Sequence, residues 1–244
     1  MKKLVFLTGA GVSQESGIST FRDSDGLWEN YPVMDVASAD GFKRNPELVH
    51  HFYNERRKQL IDTQPNKAHL IIKELEQDFD VITITQNVDD LHEKAGSNNI
   101  IHLHGELMKV RSIAHPERTY TLEYPNIETC ATTVDKYGDI VRPHIVFFGE
   151  DVPLYTDALD IVADADILVI IGTSLVVYPA AALVNFTKKG TPIFYIDPKP
   201  STVSYLDNIT YIAKKGYRRH DGISRNFAQK LHLISTKIVK NSPC

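Results

Sequence analysis

The chain has few cysteines, no long apolar run and no excess of charge of either sign. Its 244 residues include only two cysteines, so no disulfide framework is implied. No run approaches the roughly 18 apolar residues of a membrane span. The net charge is -4, from 27 basic and 31 acidic residues, and no long Lys/Arg block marks a nucleic-acid surface. Met-Lys-Lys leads directly into a strand-like segment, so we expect a cytoplasmic protein without a signal peptide, a membrane segment or direct nucleic-acid binding.

A glycine-rich loop follows a short apolar run at residues 4–7. This order is typical of a buried parallel strand that leads into a phosphate-binding loop. Gly9 and Gly11 would let the backbone approach a diphosphate closely, and the exposed amides of the turn would bind the anion. The common dinucleotide fingerprint needs a glycine at position 14, where this chain has Gln14. The loop is therefore not that of an ordinary dehydrogenase.

Two polar blocks each follow a further apolar run. Residues 85–92 read Thr-Gln-Asn-Val-Asp-Asp-Leu-His, and residues 102–106 read His-Leu-His-Gly-Glu. In an open α/β sheet the ligand-binding groups gather at the carboxyl ends of the strands. The amide, carboxylate and imidazole groups of these blocks are therefore predicted to share one site.

Alternating strand-like and helical segments predict the fold class. Apolar runs at 4–7, 81–84, 167–171 and 192–196 alternate with helical periodicity, which indicates an α/β fold with a Rossmann-like parallel sheet and helices on both faces. The helical segments are two apolar stripes, over 68–75 and 158–165, and a helix over 178–189 that stops at Gly190. Two stretches interrupt the alternation. They are a polar helical one at about 27–65 and one at about 106–144 with a possible strand over 119–124.

Several motifs, taken together and in order, resemble those of the sirtuins, the NAD-dependent protein lysine deacylases. They are Gly9-Ala10-Gly11 with Ser16-Gly17-Ile18 and Phe21-Arg22, Gln86-Asn87-x-Asp89, His104-Gly105, the segments 142–150 and 172–179, and Ile196-Asp197. The resemblance implies NAD as cofactor and acylated proteins or peptides as partners. It also implies a Rossmann-like domain of residues 1–26, 66–105 and 145–244. A small domain would be formed by insertions 27–65 and 106–144, with the substrate in the cleft between the two.

The resemblance also implies roles for individual residues at the cofactor. His104 would be the general base for a ribose hydroxyl, and an imidazole suits this role because its unperturbed pKa of about 6.5 leaves much of it neutral near pH 7. Asn87 and Asp89 would hold the nicotinamide carboxamide and an ordered water, although both are also common in turns. The other cofactor-binding residues would be Gly9, Ala10, Gly11, Ser13, Ser16, Gly17, Phe21, Arg22, Gln86, Val88, Gly172, Thr173, Ser174 and Asp197. His92 and His102 are expected to be structural.

Two further segments resemble those that bind the substrate. The peptide would add as a strand between them, held by main-chain hydrogen bonds. The residues concerned are Val146, Phe148, Gly149, Glu150, Val176 and Val177, of which Val146 and Phe148 would line the acyl-lysine tunnel. Tyr53 and Arg56 share one face of a helix that begins at Pro46. They resemble the pair with which one sirtuin subgroup binds succinyl, malonyl and glutaryl groups, so we expect both deacetylation and desuccinylation.

The chain departs from most sirtuins where these bind zinc through two Cys-x-x-Cys pairs. Ser112 lies where the first pair is expected, and Cys130 is the only cysteine near the second. A structural tetrahedral site needs four N or S ligands. Cys130, His115 and an acidic residue could form a site, but we predict that there is none. The small domain would then be held by packing of Tyr120, Leu122, Tyr124 and Tyr137.

The function implied by the resemblance is NAD-dependent removal of acyl groups from protein lysines, giving nicotinamide and O-acyl-ADP-ribose. An NAD glycohydrolase or mono-ADP-ribosyltransferase on the same scaffold remains an alternative, as does a non-catalytic sensor of NAD or acyl-lysine. The segments 146–150 and 175–179 favour the deacylase over the first alternative, because neither of those reactions needs an acyl-lysine tunnel. The presence of Asn87, Asp89 and His104 argues against the sensor.

Overall fold

A computed structural model describes residues 1–18, 27–28, 30–198, 200–203, 206 and 208–212 of the chain. Phe21 and Arg22, which the sequence analysis assigned to the cofactor, lie outside these described residues. All structural statements below concern the described part.

Strands and helices alternate along most of the chain. The strands are β1 (Lys3–Thr8), β2 (Leu27–Trp28), β3 (Tyr31–Pro32), β4 (Asp80–Thr85), β5 (Ile100–His102), β6 (Gly105–Ser112), β7 (Thr119–Thr121), β8 (Val141–Ile145), β9 (Ile167–Ile171), β10 (Ile193–Ile196) and β11 (Ile209–Ile212). The α-helices are α1 (Val33–Val36), α2 (Ala39–Arg44), α3 (Pro46–Asp62), α4 (Lys67–Glu74), α5 (Leu91–Lys94) and α6 (Tyr155–Ala163). Short 3₁₀ helices span Ala10–Val12, Gln14–Ser16, Leu75–Gln77 and Ala180–Phe186.

A parallel sheet with strand order β11-β10-β9-β1-β4-β5 carries helices on both faces. Along β1, Leu4 and Phe6 pack with α4 on one face, while Val5 and Leu7 pack with α6 on the other. A strand covered on both faces buries successive side chains, which is why the central strands are nearly continuous apolar runs in the sequence. The predicted fold class is confirmed.

The register of the sheet brings the polar blocks together. Thr8 at the end of β1 is level with Thr85 of β4 and with Ile171 of β9. Thr85 in turn is level with His102 of β5. Four strands therefore end along one edge, and the loops that follow them meet there.

A second, antiparallel sheet has the strand order β7-β6-β8. It lies within residues 105–145, which we call the antiparallel module. Strand β6 begins at Gly105 and pairs with β8 along its length, with a register shift between Gly105 and Val110. This sheet falls in the second predicted insertion, while the predicted domain boundaries stay a prediction.

Two elements differ from their sequence predictions. The helix expected over 178–189 is a 3₁₀ helix, Ala180–Phe186. An α-helix repeats about every 3.6 residues and a 3₁₀ helix every three. Over a segment of only two turns both repeats bury the same apolar residues, so the sequence pattern does not distinguish an α-helix from a 3₁₀ helix. The strand expected over 119–124 ends at Thr121, before a turn in which Asn126 N–H donates to Glu123 O.

None of the helices in the described ranges combines the length and the apolar character that crossing a membrane requires. The cytoplasmic location stays a prediction.

Candidate active site

Gly9 and Gly11 join the loop after β1 to the loop after β9. Their amides donate to Ile171 O at 3.0 Å and to Gly172 O at 2.8 Å, so neither amide points freely at an anion. A Cβ on Gly11 would lie 2.7 Å from Gly172 Cα, closer than atoms pack in proteins. The role of the two glycines at the cofactor stays a prediction. The glycines let the loop after β1 lie directly on the loop after β9.

Ser13, Asn87 and Asp89 form a buried polar cluster at this edge of the sheet. Ser13 Oγ donates to Asp89 Oδ2 at 2.9 Å and accepts from Asn87 Nδ2 at 3.0 Å. The other carboxylate oxygen, Oδ1, accepts from the Leu91 amide at 3.2 Å. The Ser13 hydroxyl thus joins Asn87 and Asp89, which lie 74 and 76 positions further along the sequence. The expectation that polar groups gather at the carboxyl ends of the strands agrees with this cluster.

Burial dominates the electrostatics of Asp89. It raises the pKa of the carboxyl to about 6, against the hydrogen bonds from Ser13 and from the Leu91 amide, which lower it. A nearly dry carboxylate with fixed donors can orient an amide or a water molecule through strong hydrogen bonds. This chemistry suits a carboxamide ligand.

His104 is held in one tautomer. Its Nδ1 lies 3.0 Å from Gln86 O. A carbonyl oxygen only accepts, so Nδ1 carries the proton and the lone pair is on Nε2. Burial lowers the pKa of the ring below its usual 6.5, with the Gln86 contact opposing the shift. His104 is therefore mostly neutral at pH 7 and can accept a proton.

Gln86 and Thr173 connect the His104 strand end to the neighbouring loop. Gln86 Nε2 donates to Thr173 Oγ1 at 3.0 Å, and the Leu175 amide donates to the same oxygen at 3.2 Å. Thr173 O accepts from the buried Tyr195 hydroxyl at 2.8 Å. Asp197 directly follows β10 and is also buried, so it too lies at this edge.

Asn66 is a site residue that the sequence analysis missed. Its Nδ2 donates to Val12 O at 2.8 Å and to Ser16 Oγ at 3.1 Å, while its Oδ1 accepts from the Ala68 amide and caps α4. One side chain thus starts a helix and braces the loop after β1. Its place just before the apolar stripe of α4 is the expected signal of a helix cap, but nothing in the sequence predicts the loop contacts.

An apolar pocket opens beside Asp89. It is lined by Ile18, Trp28, Arg56, Gln59, Leu60, Val88, Asp89 and Leu107. Arg56 reaches it with its guanidinium 5.2 Å above the Phe52 ring. Tyr53 is fully buried next to the pocket, with its ring 6.2 Å from that of Trp28. Its hydroxyl has no hydrogen-bond partner among the described residues.

The predicted peptide-binding segments expose apolar side chains. Phe148 is 42 % and Val176 is 65 % exposed. Val146 N–H donates to His104 O at 2.9 Å, which anchors its segment directly to the catalytic candidate. Phe148 pairs by its backbone with residues 37 and 39. The exposed side chains therefore sit on a main chain that is held in place.

The Glu150 side chain is bound within the protein. Its carboxylate accepts from Arg142 at 2.5 and 3.1 Å, from Arg111 at 3.1 Å and from the Phe147 amide at 2.9 Å. These charge-assisted contacts hold the carboxylate within the protein. The side chain therefore fixes the loop that carries Phe148, and the role of Glu150 in substrate binding stays a prediction.

The residues near the missing cysteines do not fit a zinc ion. Ser112 Oγ accepts from the His115 amide at 3.1 Å, and Cys130 Sγ contacts the hydroxyls of Thr132 and Thr133 at 3.2 and 3.5 Å. Across the described ranges, no group of three or more His, Cys, Asp or Glu side chains is arranged to hold a metal.

The packing predicted for this region is partly wrong. Tyr124 and Tyr137 are 74 % and 64 % exposed. Tyr120 does contribute, by donating to Asp135 Oδ2 at 2.9 Å.

An open parallel sheet with a neutral imidazole, an amide and a carboxylate at its carboxyl edge places the chain among the α/β proteins that bind their ligands at this edge. The comparison with protein families is more specific. The model of the Sir2 family, whose members are the sirtuins, matches residues 9–179. The chain therefore belongs to the Sir2 family.

Individual relatives are similar over most of their length. The chain is 51 % identical over 219 residues to an NAD-dependent protein deacylase of Bacteroides thetaiotaomicron, covering 88 % of this chain and 93 % of that protein. It is 52 % identical over 212 residues to an NAD-dependent protein deacylase of Helicobacter pylori, covering 87 % and 91 %. The crystal structure of a Sir2 homologue in complex with NAD superimposes with a TM-score of 0.82 at 38 % identity, covering 98 % of this chain and 90 % of that one.

Proposed function

We propose that this chain is an NAD-dependent protein lysine deacylase whose reaction takes place at the edge formed by Ser13, Asn87, Asp89 and His104. The observation that carries the proposal is the fixed tautomer of His104, which leaves a basic nitrogen at a strand end beside a buried amide–carboxylate cluster. The names of the relatives from Bacteroides and Helicobacter agree with it.

The residues at this edge fit NAD. Asn87 and Asp89 offer an amide and a carboxylate, which together match the donors and acceptor of a carboxamide. Thr173 and Asp197 lie on neighbouring strand ends, where hydroxyl and carboxylate groups can bind ribose. When bound, NAD supplies a ribose carbon that loses nicotinamide and takes up the acyl group.

His104 would remove a proton from a ribose hydroxyl through Nε2. The Gln86 carbonyl holds the ring in place, because it binds the opposite nitrogen. As the ring gains its proton, the Nδ1–H···O contact strengthens, so the same bond stabilises the charged form. A base positioned in this way typically contributes about 10²–10⁴-fold to a rate.

The acyl-lysine would enter past Phe148 and Val176. Both expose apolar surface, and bonds to residues 37, 39 and 104 hold the backbone of the 146–148 segment in place, so an extended peptide would meet a fixed surface there. Main-chain recognition requires little of the peptide sequence, so the substrate would be selected mainly by its acyl group.

The acyl group would occupy the pocket that Arg56 lines. Its walls are mostly apolar, which suits the chain of an acetyl or a longer acyl group. Arg56 adds a positive charge, and Tyr53, whose ring lies 6.2 Å from that of Trp28 in the pocket wall, has a buried hydroxyl without a partner among the described residues. A carboxylate at the end of a succinyl or malonyl group could accept from both. We therefore propose dual activity, on acetyl-lysine and on succinyl- or malonyl-lysine.

Mass spectrometry of the products separates this function from its alternatives. The protein is incubated with NAD and, in parallel, with acetyl-, succinyl- and malonyl-lysine peptides or with no peptide. A deacylase gives nicotinamide and O-acyl-ADP-ribose only when peptide is present. Free ADP-ribose without peptide would instead indicate a glycohydrolase, and a mass increase of the protein or peptide by ADP-ribose a transferase.

Arg56→Met tests the acyl preference. The variant keeps most of the side-chain volume but removes the charge-assisted hydrogen bond, which is worth roughly 1.5–3 kcal/mol. We expect kcat/KM for succinyl peptides to fall by about 10- to 150-fold, with acetyl peptides nearly unaffected. Lys58→Met, two positions further along α3 and exposed, is the matched control. Equal losses on both peptides would mean that Arg56 supports the fold or the cofactor loop.

A further inference from the structure

A buried histidine that the reaction does not use lies directly behind the amide–carboxylate cluster. His102 ends β5 and is 8 % exposed. Its Nδ1 lies 3.0 Å from Asn87 O, and its Nε2 lies 2.7 Å from Glu93 Oε1 on α5. Both partners are oxygens that only accept, because one is a carbonyl and the other an ionised carboxylate. The ring satisfies both contacts only when both nitrogens carry protons, that is, as an imidazolium.

The charges around His102 favour that form. Burial alone works against a charged ring, but the hydrogen bond and the charge of Glu93 outweigh it, so the pKa of His102 is raised above its usual 6.5. The pKa of Glu93 is lowered, since its contact with His102 outweighs its own burial. The contacts and both pKa shifts therefore favour an ion pair, set into the wall of the site.

His102 acts on the main chain of Asn87. The Asn87 amide donates to Thr85 Oγ1 at 3.0 Å, and the Asn87 carbonyl accepts from His102. Both ends of the residue are thus held, while its side chain points to Ser13. A carboxamide ligand requires the Asn87 amide group in one orientation, and such an orientation depends on how firmly the supporting shell holds it.

A neutral His102 cannot keep both contacts. If Nδ1 retains the proton, the lone pair of Nε2 faces the Glu93 carboxylate at 2.7 Å. If Nε2 retains it, the bond to Asn87 O is lost. Loss of one proton therefore loosens either Glu93 or Asn87.

We propose that His102, protonated and held by Glu93, is a positioning residue that fixes Asn87 for carboxamide binding and causes the efficiency of NAD cleavage to fall at basic pH. The inference rests on the proposed function, because it takes Asn87 as part of the NAD site. It adds a role for two residues that do not touch the reacting atoms.

Other titratable groups face His102 and must be separated from it. Glu93 and His92 approach it from α5, Glu106 from β6, and Asp89 from the loop after β4. Burial keeps His92 neutral by lowering its pKa well below the usual value. Asp89, with its pKa of about 6, and His104, with a pKa below 6.5, both lose their protons on the acidic side. Among these groups, His102 is the one whose raised pKa moves its transition toward the basic side.

The experiment measures kcat and KM for NAD from pH 5.5 to 10, by nicotinamide release with saturating acetyl-lysine peptide. Glu93→Gln removes the charge of the partner but keeps its shape. We expect the basic limb of kcat/KM for NAD to move down by about one to two pH units, the equivalent of a lost charge-assisted hydrogen bond. His102→Gln, which keeps a donor but cannot titrate, should abolish that limb. Glu117→Gln makes the same change in the exposed His115–Glu117 pair and should leave the profile in place.

Two further measurements keep the outcomes distinct. NMR titration of the histidine rings in the unmodified protein should show His102 doubly protonated at pH 7. A neutral His102 overturns the inference even if the variants fail to fold, and so does an unshifted limb in folded Glu93→Gln. Asn87→Ala reports on the proposed site instead. If it retains full turnover, the site assignment fails, whereas an inactive Asn87→Ala with an unshifted Glu93→Gln profile overturns only the role of His102.

Discussion

The carboxyl edge of the parallel sheet and the antiparallel module meet at His104 and Gly105, yet they are held together by different interactions. At the sheet edge, β1, β4 and β9 are apolar and almost wholly buried, and backbone ladders fix the level at which each strand ends. The module instead contains buried charged side chains that bind its loops. The position of the site thus follows from the main chain, whereas the position of the module depends on a few specific side chains.

The best-defined of these contacts is a polar clamp on Thr129. Thr129 N donates to Asn54 Oδ1 at 3.0 Å, and Asn54 Nδ2 donates to Thr129 O at 2.8 Å. The Thr129 hydroxyl contacts His50 Nδ1 at 2.8 Å and Arg57 at 3.2 Å. Three side chains from one face of α3 therefore hold the segment next to Cys130. In this chain the clamp occupies the region where most sirtuins are expected to use zinc.

The largest expected effect comes from the sheet edge. His104→Ala should lower turnover by at least about 10²-fold, the typical loss for a positioned base, while the melting temperature changes little. The reason is that the fixed Nε2 lone pair is lost but the strand ladders are not. The measurement is steady-state nicotinamide release, with His115→Ala in the exposed part of the module as control. Near-normal turnover in a folded His104→Ala protein would contradict the assignment of His104 as the general base.

The second prediction concerns the contacts of Arg57 that hold the antiparallel module. Arg57 is fully buried and donates to Leu107 O at 2.8 Å and to Ile127 O at 3.3 Å, besides Asn54 and Thr129. Arg57→Met removes the donor of Leu107 O and of Ile127 O, at roughly 1–3 kcal/mol for each, and leaves Asn54 and Thr129 with their remaining partners. We expect a loss of at least about 3 kcal/mol in the free energy of unfolding, measured by urea denaturation.

The control for Arg57→Met is Lys58→Met, the next residue of α3. Lys58 is exposed and makes only surface ion pairs with Glu55 and Glu128, which are worth about 0–1 kcal/mol. If both variants lost the same small amount of unfolding free energy, the contacts of Arg57 would not be what holds the module.

The same contrast explains what the sequence predicts well. The strands at 4–7, 81–84, 167–171 and 193–196 could be predicted because burial on both faces makes them continuous apolar runs. The site could be predicted because polar blocks follow those runs directly. The fold class and the family are confirmed by the structure and the comparisons. The roles of the individual site residues stay predictions.

The module could not be predicted in this way. Strands β6 and β8 carry Arg111 and Arg142, whose burial depends on Glu150, a residue outside both strands. A charged residue in a strand pattern normally indicates solvent, so neither strand was assigned. Arg56 and Arg57 pose the same difficulty. They are adjacent in sequence, and only the packing of α3 decides which one is buried.

A smaller effect tests how closely the loops of the sheet edge approach each other. Gly172 has a φ of 63°, and a Cβ there would lie 2.4 Å from Val12 N. Gly138 in the module has a φ of 87° with open space around it. Both Gly→Ala changes incur the left-handed strain of about 1–2 kcal/mol. Gly172→Ala should lose roughly 1–3 kcal/mol more by overpacking. Equal losses in urea denaturation would show that the two loops separate easily.

The smallest expected effect is that of a chelator. Cys130 Sγ is bound to two threonine hydroxyls, which lower the pKa of the thiol, and the clamp already fixes the neighbouring Thr129. We therefore predict less than stoichiometric zinc by elemental analysis of the purified protein and an unchanged unfolding curve in EDTA. In a chain whose module depended on zinc, the metal's binding free energy would be part of its folding free energy, and EDTA would unfold it. The prediction would be contradicted by one zinc per chain if replacement of Cys130 by serine removed the zinc and unfolded the module. It would make Cys130 a ligand and leave the Thr129 clamp a secondary contact.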